Sequence, residues 1–260
     1  MSRGGACLAA AACVLAPASA GAGTGRPPAA LSVSPARVLL LGAGRQAVRV
    51  RNPGSAAVAV AAAPAGFALT LRGRPRIVSD PHDGRDVAAW LTLRPRRLVV
   101  APGGTATLTV SAAVPSHAEP GDHAALVLLS SRGPAGSVAV LMRLGVLVDV
   151  RVSGAIVRHL VLRALHVRRE GRFRVLELAL ANMGNVTELL QRGRVSVTLA
   201  RSRRVFARLV AAPRELLPHS RGLAEIGYRG RLRGVFAARV LVDPAGPGGS
   251  VWRRTFRIRL

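Results

Sequence analysis

Four groups able to bind a metal or move a proton fall within seven positions of the stretch PSHAEPGDHAAL, residues 115–126. They are His117, Glu119, Asp122 and His123. The chain has only 6 His and 12 acidic residues, so the crowding calls for an account. A first-row metal needs three or four ligands converging at about 2.0–2.3 Å. His117 and Glu119 stand on a connection bounded by Pro115 and Pro120, and Pro120-Gly121-Asp122 turns into a strand expected over residues 123–130. At the start of such a strand a side chain commonly reaches back to close the corner with a hydrogen bond, as a tyrosine does in immunoglobulin-like sandwiches. The expectation is a structural corner with His123 as its cap. No nucleophile motif or glycine-rich phosphate loop accompanies the cluster, which argues against an acid/base pair. A second polar group, Asp80, His82, Asp83 and Asp86 in DPHDGRD, reads as a solvated loop, with a weak divalent-cation site as the sharper alternative. No catalytic, metal-binding or cofactor-binding residue is assigned, and the chain is not expected to be an enzyme.

The elements that must position these residues have a period of two. VSVTLA and RFRVLELALAN alternate, and Leu176, Leu178 and Leu180 share one face. In VWRRTFRIRL, Trp252, Phe256, Ile258 and Leu260 point one way and Arg253, Thr255, Arg257 and Arg259 the other. This is the pattern of half-buried antiparallel strands. Turn signals such as NPGS, APGG, EPGD, NMGN and PAGPGG recur at short intervals. The asparagines of NMGN suit left-handed backbone angles, and the NVT sequon at Asn185 is read as accidental. Residues 138–152 are apolar but too short for a membrane span, and Arg143, Asp149 and Arg151 interrupt them.

The predicted fold is all-β: two tandem immunoglobulin-like β-sandwich domains after a cleaved signal peptide. Residues 1–20 carry Arg3, a short apolar core and the cleavage signal Ala18-Ser19-Ala20. Residues 21–30 form a flexible leader, 31–153 the first domain and 154–260 the second. Both cysteines, Cys7 and Cys13, lie in the signal, so the mature chain has no thiol chemistry and no disulfide. No transmembrane anchor is expected in the mature chain.

All 38 basic residues are arginine, and the formal net charge is +26. Arg, Ala, Gly and Pro share GC-rich codons, so codon usage is one reading of that excess and an anionic ligand the other. Residues 31–153 hold 14 Arg against 6 acids, and residues 154–260 hold 22 against 6. If the charge has a function, it lies in the second half. Arg231, Arg233 and Arg239 are expected on the outward face of one strand and Arg253, Arg257 and Arg259 on the next. Together they would form a ridge for an anionic ligand, since guanidinium forks suit phosphate. Nucleic acid is not expected as a partner, because export removes the chain from it and no aromatic stacking platform is present.

Two resemblances follow from these residues. The run W-L-x-L-x-P, L-V-V-A-P-G, V-P and P-G-D-H, then V-A-V-L-M-R-L-G-V-L-V-D-V-R-V-S-G, resembles the peptidoglycan-binding domain of WxL-interacting proteins of bacterial cell surfaces. L-A-L-A-N-M-G-N-V, G-R-V-S-V-T-L, E-L-L-P-H-S-R and L-R-G-V-F-A-A-R-V resemble that family's second domain. This resemblance implies a non-enzymatic, secreted or cell-wall-associated binding protein contacting peptidoglycan or anionic cell-wall polymer and a surface protein partner. The chain departs from the family in lacking a C-terminal membrane helix and basic tail. The opening LSVSPARVLLLGAGRQAVRVRNPGSAAVAV also resembles periplasmic pilus chaperones. That resemblance implies an assembly factor that donates a strand edge to a client, although the chain lacks the chaperones' client-anchoring lysine. The first reading is the expectation and the second the alternative.

Overall fold

The alternation in the sequence becomes an alternation of burial. A computed structural model describes residues 30–78, 87–132, 141–171, 173–243 and 251–260. The signal at 1–20, the leader up to residue 29 and the cluster Asp80, His82, Asp83 and Asp86 lie outside the described residues. The molecule is almost wholly β, and among the described residues no helix is long and apolar enough to cross a membrane.

The first sandwich comprises β1 (Ser32–Ser34), β2 (Arg37–Leu41), β3 (Arg45–Arg51), β4 (Val58–Leu69), β5 (Pro75–Val78), the helical turn α1 (Val87–Trp90), β6 (Leu91–Arg94), β7 (Arg97–Val100), β8 (Thr105–Ala112), β9 (Gly121–Arg132) and β10 (Leu141–Val152). One sheet has the order β1-β3-β8-β6. The other runs β2-β10-β9-β4-β5, with β7 also pairing β4. Pro35 has no amide hydrogen to continue the β1 ladder, and there the chain crosses to the other sheet, where β2 runs parallel to β10. Val38, Leu40, Val48, Val50, Leu108, Val110, Val127, Leu129, Val146, Val148 and Val150 are each at most 1% exposed and fill the space between the sheets. Burial of each such side chain contributes about 1.5–3 kcal/mol. Trp90 ends α1, and its ring lies 4.8 Å from that of His123.

The second sandwich comprises β11 (Leu160–Glu170), β12 (Phe173–Asn182), β13 (Glu188–Leu190), β14 (Val195–Arg201), β15 (Arg204–Val210), β16 (Arg214–Leu216), β17 (Arg221–Tyr228), β18 (Val235–Val242) and β19 (Trp252–Arg259). Its sheets have the orders β11-β12-β17, β13-β16 and β15-β14-β18-β19. A separate core forms around Leu176, Leu178, Leu180, Val197, Leu199, Phe236, Ala238 and Val240.

Each sandwich contains the same buried asparagine. Asn52 Nδ2 donates to the carbonyls of Ala56 (2.7 Å) and Val100 (3.0 Å), and its Oδ1 accepts from the Gly54 amide at 2.9 Å. Asn182 Nδ2 donates to Val186 (2.7 Å), Leu216 and Leu217 (both 3.1 Å), and its Oδ1 accepts from Gly184 at 3.0 Å. The motif Asn-x-Gly therefore ties a turn to a neighbouring strand twice. This corrects the left-handed reading of NMGN, since neither asparagine has a positive φ and both work through their side chains. Asn185 donates to the Ala155 carbonyl and accepts from the Val157 amide, both at 2.8 Å, so the sequon asparagine is buried in the structure.

Candidate functional site: the cleft, the open edge of β10 and the arginine face

The opening cluster disperses. His123 Nε2 lies 2.7 Å from the Glu119 carbonyl oxygen, the corner hydrogen bond expected from the sequence. His117 is exposed. Glu119 reaches across to His219 of the second sandwich at 3.0 Å. Asp122 holds Arg151 through both carboxylate oxygens and accepts the Thr187 amide of the second sandwich at 2.9 Å. Its own amide donates to the Asn185 carbonyl at 2.8 Å. Gly121, at φ +117, lies so close to Asn185 that a Cβ there would stand 2.0 Å from the Asn185 carbonyl oxygen. Among the described residues no three His, Cys, Asp or Glu side chains converge. Pro120, Gly121 and Asp122 thus form a joint between the two sandwiches.

Other contacts cross the same cleft. Arg37 at the start of β2 bonds Asp149 of β10 and forks onto Glu215 of β16 at 2.7 and 3.2 Å. Burial works against the Arg37 charge, but its bonds to Glu215 and Asp149 outweigh that and hold it above the ordinary arginine range. Burial likewise raises the Asp149 carboxyl, with Arg37 opposing in part. The β4–β5 loop docks on the second sandwich. Arg72 meets Glu177 and Glu225 at 3.0 Å each, the Leu223 amide donates to the Leu71 carbonyl at 2.7 Å, and Arg214 Nη2 donates to that same carbonyl at 2.6 Å. Hydrogen bonding to Arg168 and then to Arg72 holds Glu177 below the usual carboxylate range. A pocket at the joint is lined by Phe67, Glu119, Pro120, His123, Pro218 and His219. Sequence reasoning missed these contacts because the partners lie about 65–180 residues apart.

The sheet of the first sandwich has an open edge. β9 pairs β10 along its whole length without a register shift. On the other side β2 covers only residues 147–151. Among the described residues no strand pairs with residues 141–146 on that side. The Leu147 amide donates to Ala36 and the Arg151 carbonyl accepts from Gly42, so odd-numbered residues of β10 turn their N–H and C=O toward β2. By the strand's alternation, Leu141, Arg143 and Gly145 turn theirs toward the open side. Next to that edge, Leu126, Leu128, Leu147, Phe67 and Ile77 give the outward sheet face an apolar surface.

The arginines expected to form one ridge separate into two groups. Arg239 on β18 and Arg253, Arg257 and Arg259 on β19 are exposed on one outward face, and the two strands pair with Arg239 opposite Thr255. Arg231 and Arg233 do not lie on β18 as expected. They sit in the connection before it, which is held by the Tyr228 hydroxyl accepting from the Leu232 amide at 3.0 Å and turns at Gly234, φ +94. The Arg233 carbonyl accepts from Arg201 at 2.7 Å. The structure adds Arg208 of β15, whose partner Thr198 in turn pairs with Arg239.

No protein-family model matches the sequence, and comparison with curated proteins finds no match. The fold has solved counterparts. A structure from a chaperone–tip adhesin complex of CFA/I fimbriae biogenesis is 11% identical with a TM-score of 0.51, covering 87% of this chain and 98% of that one. The class 5 fimbriae chaperone CfaA is 12% identical with a TM-score of 0.50, covering 86% of this chain and 99% of that one. The chain therefore shares its two-sandwich fold with these two structures. This corrects the resemblance to WxL-interacting proteins, and with it the reading as a protein that binds peptidoglycan or wall polymer. The motifs that carried that reading are strand segments and the turns that join them. P-G-D-H closes a sandwich corner and N-M-G-N a turn, so they mark an architecture rather than a glycan site.

Proposed function

We propose that the chain is a non-catalytic assembly chaperone acting outside the cytoplasm, which holds an envelope subunit by strand addition along the open half of β10. The observation that carries this reading is the unpaired edge at residues 141–146. A long exposed edge invites pairing with another chain, and proteins that retain one commonly use it. Main-chain bonds from Leu141, Arg143 and Gly145 would give affinity, and the apolar sheet face beside them would receive the client's side chains. The likeness in fold to CfaA supports the reading, as do the export signal at residues 1–20 and the division into sandwiches at 31–153 and 154–260. The client-anchoring lysine of pilus chaperones has no counterpart here, and Arg37, the cation at the end of the open edge, is engaged by Asp149 and Glu215. The client would therefore depend chiefly on the strand ladder.

The test is a photocrosslinking amino acid in place of Leu141, in the full chain expressed in its own host. The expected adduct is with an envelope subunit that presents an unfilled sheet edge. The same substitution at exposed Leu189 on β13, in the second sandwich, should give no such adduct. Adducts with glycan only, or equal adducts from both positions, would overturn the reading.

A further inference from the structure

The outward face of the β15-β14-β18-β19 sheet has no role in strand addition, and its chemistry is distinct. Register sets Arg208, Thr198, Arg239 and Thr255 in one row across the four strands. Arg253 and Arg257 flank Thr255 along β19, which makes both of them diagonal neighbours of Arg239 at about 7–8 Å. All four arginines are exposed. The acids among the described residues are engaged elsewhere: Glu119 with His219, Asp122 with Arg151, Asp149 and Glu215 with Arg37, Glu170, Glu177 and Glu225 with Arg168, Glu188 with Arg158, and Asp243 with Arg194. Like charges so arranged repel, and within the sheet small polar neighbours do nothing to offset them.

We infer that this face docks on an anionic phospholipid surface. A four-stranded sheet presents a broad platform, roughly 15 Å across its strands. Its centre consists of Thr198, Arg239 and Thr255. The buried centre of a protein–protein interface is depleted in charge and anchored by aromatic residues, and this patch has the opposite character. Planar guanidinium groups on a platform suit a layer of phosphates, each able to accept two parallel N–H bonds. This inference goes beyond the chaperone reading and stands apart from it, because the open edge of β10 belongs to the other sandwich.

The test is sedimentation of the full chain with vesicles of phosphatidylcholine containing 30% phosphatidylglycerol, against vesicles of phosphatidylcholine alone. Binding is expected to the first only, weakening steeply as ionic strength screens exposed charge. Each arginine at such a surface contributes roughly fivefold, so the variant R239Q/R253Q/R257Q should lose on the order of a hundredfold at low salt. A control variant removes three exposed arginines of the first sandwich, R49Q/R51Q/R97Q, and should lose far less. Circular dichroism confirms that both variants remain folded. Equal losses in the two variants would make the charge excess a general consequence of arginine-rich composition and overturn the inference. Failure to bind anionic vesicles at low salt would also overturn it. So would capture of soluble polyglutamate with the same affinity and the same dependence on Arg239, Arg253 and Arg257, which would point to an acidic protein.

Discussion

Replacing Asp122 tests whether the residue that looked most like chemistry is instead the joint between the sandwiches. Its carboxylate accepts the Thr187 amide across the interface at 2.9 Å and holds Arg151 with both oxygens. A hydrogen bond to a charged group contributes about 1.5–3 kcal/mol net. The Arg151 pair is worth less, about 0–1 kcal/mol, because the Arg151 side chain is 41% exposed and water replaces much of what it loses. Asp122→Ala should therefore cost about 2–3 kcal/mol. Asp122→Asn keeps an oxygen for the Thr187 amide and loses only the charge, so it should cost about 1 kcal/mol. The assay is urea unfolding of the full chain followed by tryptophan fluorescence, since Trp90 lies against His123, next to Asp122. A metal titration of the parent protein runs beside it. Equal losses in the two variants, or a loss below about 0.5 kcal/mol for Asp122→Ala, would refute the joint. Tight stoichiometric zinc binding abolished by Asp122→Asn would return the cluster to metal chemistry.

Three further outcomes are expected. Asn52→Ala and Asn182→Ala should each cost about 3 kcal/mol in urea unfolding, because each leaves a buried amide and buried carbonyls without partners. Gly121→Ala should cost more than Gly103→Ala: both glycines have positive φ, but only at Gly121 does a Cβ meet a neighbour, the Asn185 carbonyl. Two carboxyls should respond to pH in opposite senses. Burial, opposed by Arg158, raises Glu188, so its contribution is most favourable below the ordinary carboxylate range and falls as pH rises through the raised pKa. Glu177 is lowered, so its contribution is present above the ordinary range and falls as pH drops through the lowered pKa. Urea midpoints between pH 3 and 8 for Glu188→Gln and Glu177→Gln should each lose the corresponding slope.

Local features of the chain were legible and its long-range pairings were not. Leu176, Leu178 and Leu180 alternate in the sequence and are buried together, because the pleat imposes a period of two on any half-buried strand. His123 could be read as a corner cap because its partner is only four residues away. Asp122 could not be assigned to the joint, since Thr187 is 65 residues distant and nothing local marks the pair. The run RGRLRGVF alternates like a strand, yet Gly234 and the Tyr228 hydroxyl keep Arg231 and Arg233 in a connection. Arg208 joins the arginine face only through the register of β15 with β14. The open edge of β10 was hidden for the same reason: whether an apolar strand is covered depends on where a strand about a hundred residues away stops pairing. The WxL resemblance failed because its motifs are alternating strands and turns that any tandem sandwich requires.

Strand addition is tested most directly by amide hydrogen exchange, residue by residue, along β10 in the chain alone and with its captured client. The even-numbered amides Met142 and Leu144 face β9 and should be protected in both states. The Arg143 and Gly145 amides face the open edge and should exchange freely in the chain alone, then slow by orders of magnitude in the complex. Arg143→Pro, which removes one outward N–H and leaves the β9 ladder intact, should fold and release the client. Unchanged exchange at Arg143 and Gly145 in a stable complex, or a client retained by Arg143→Pro, would contradict strand addition at this edge.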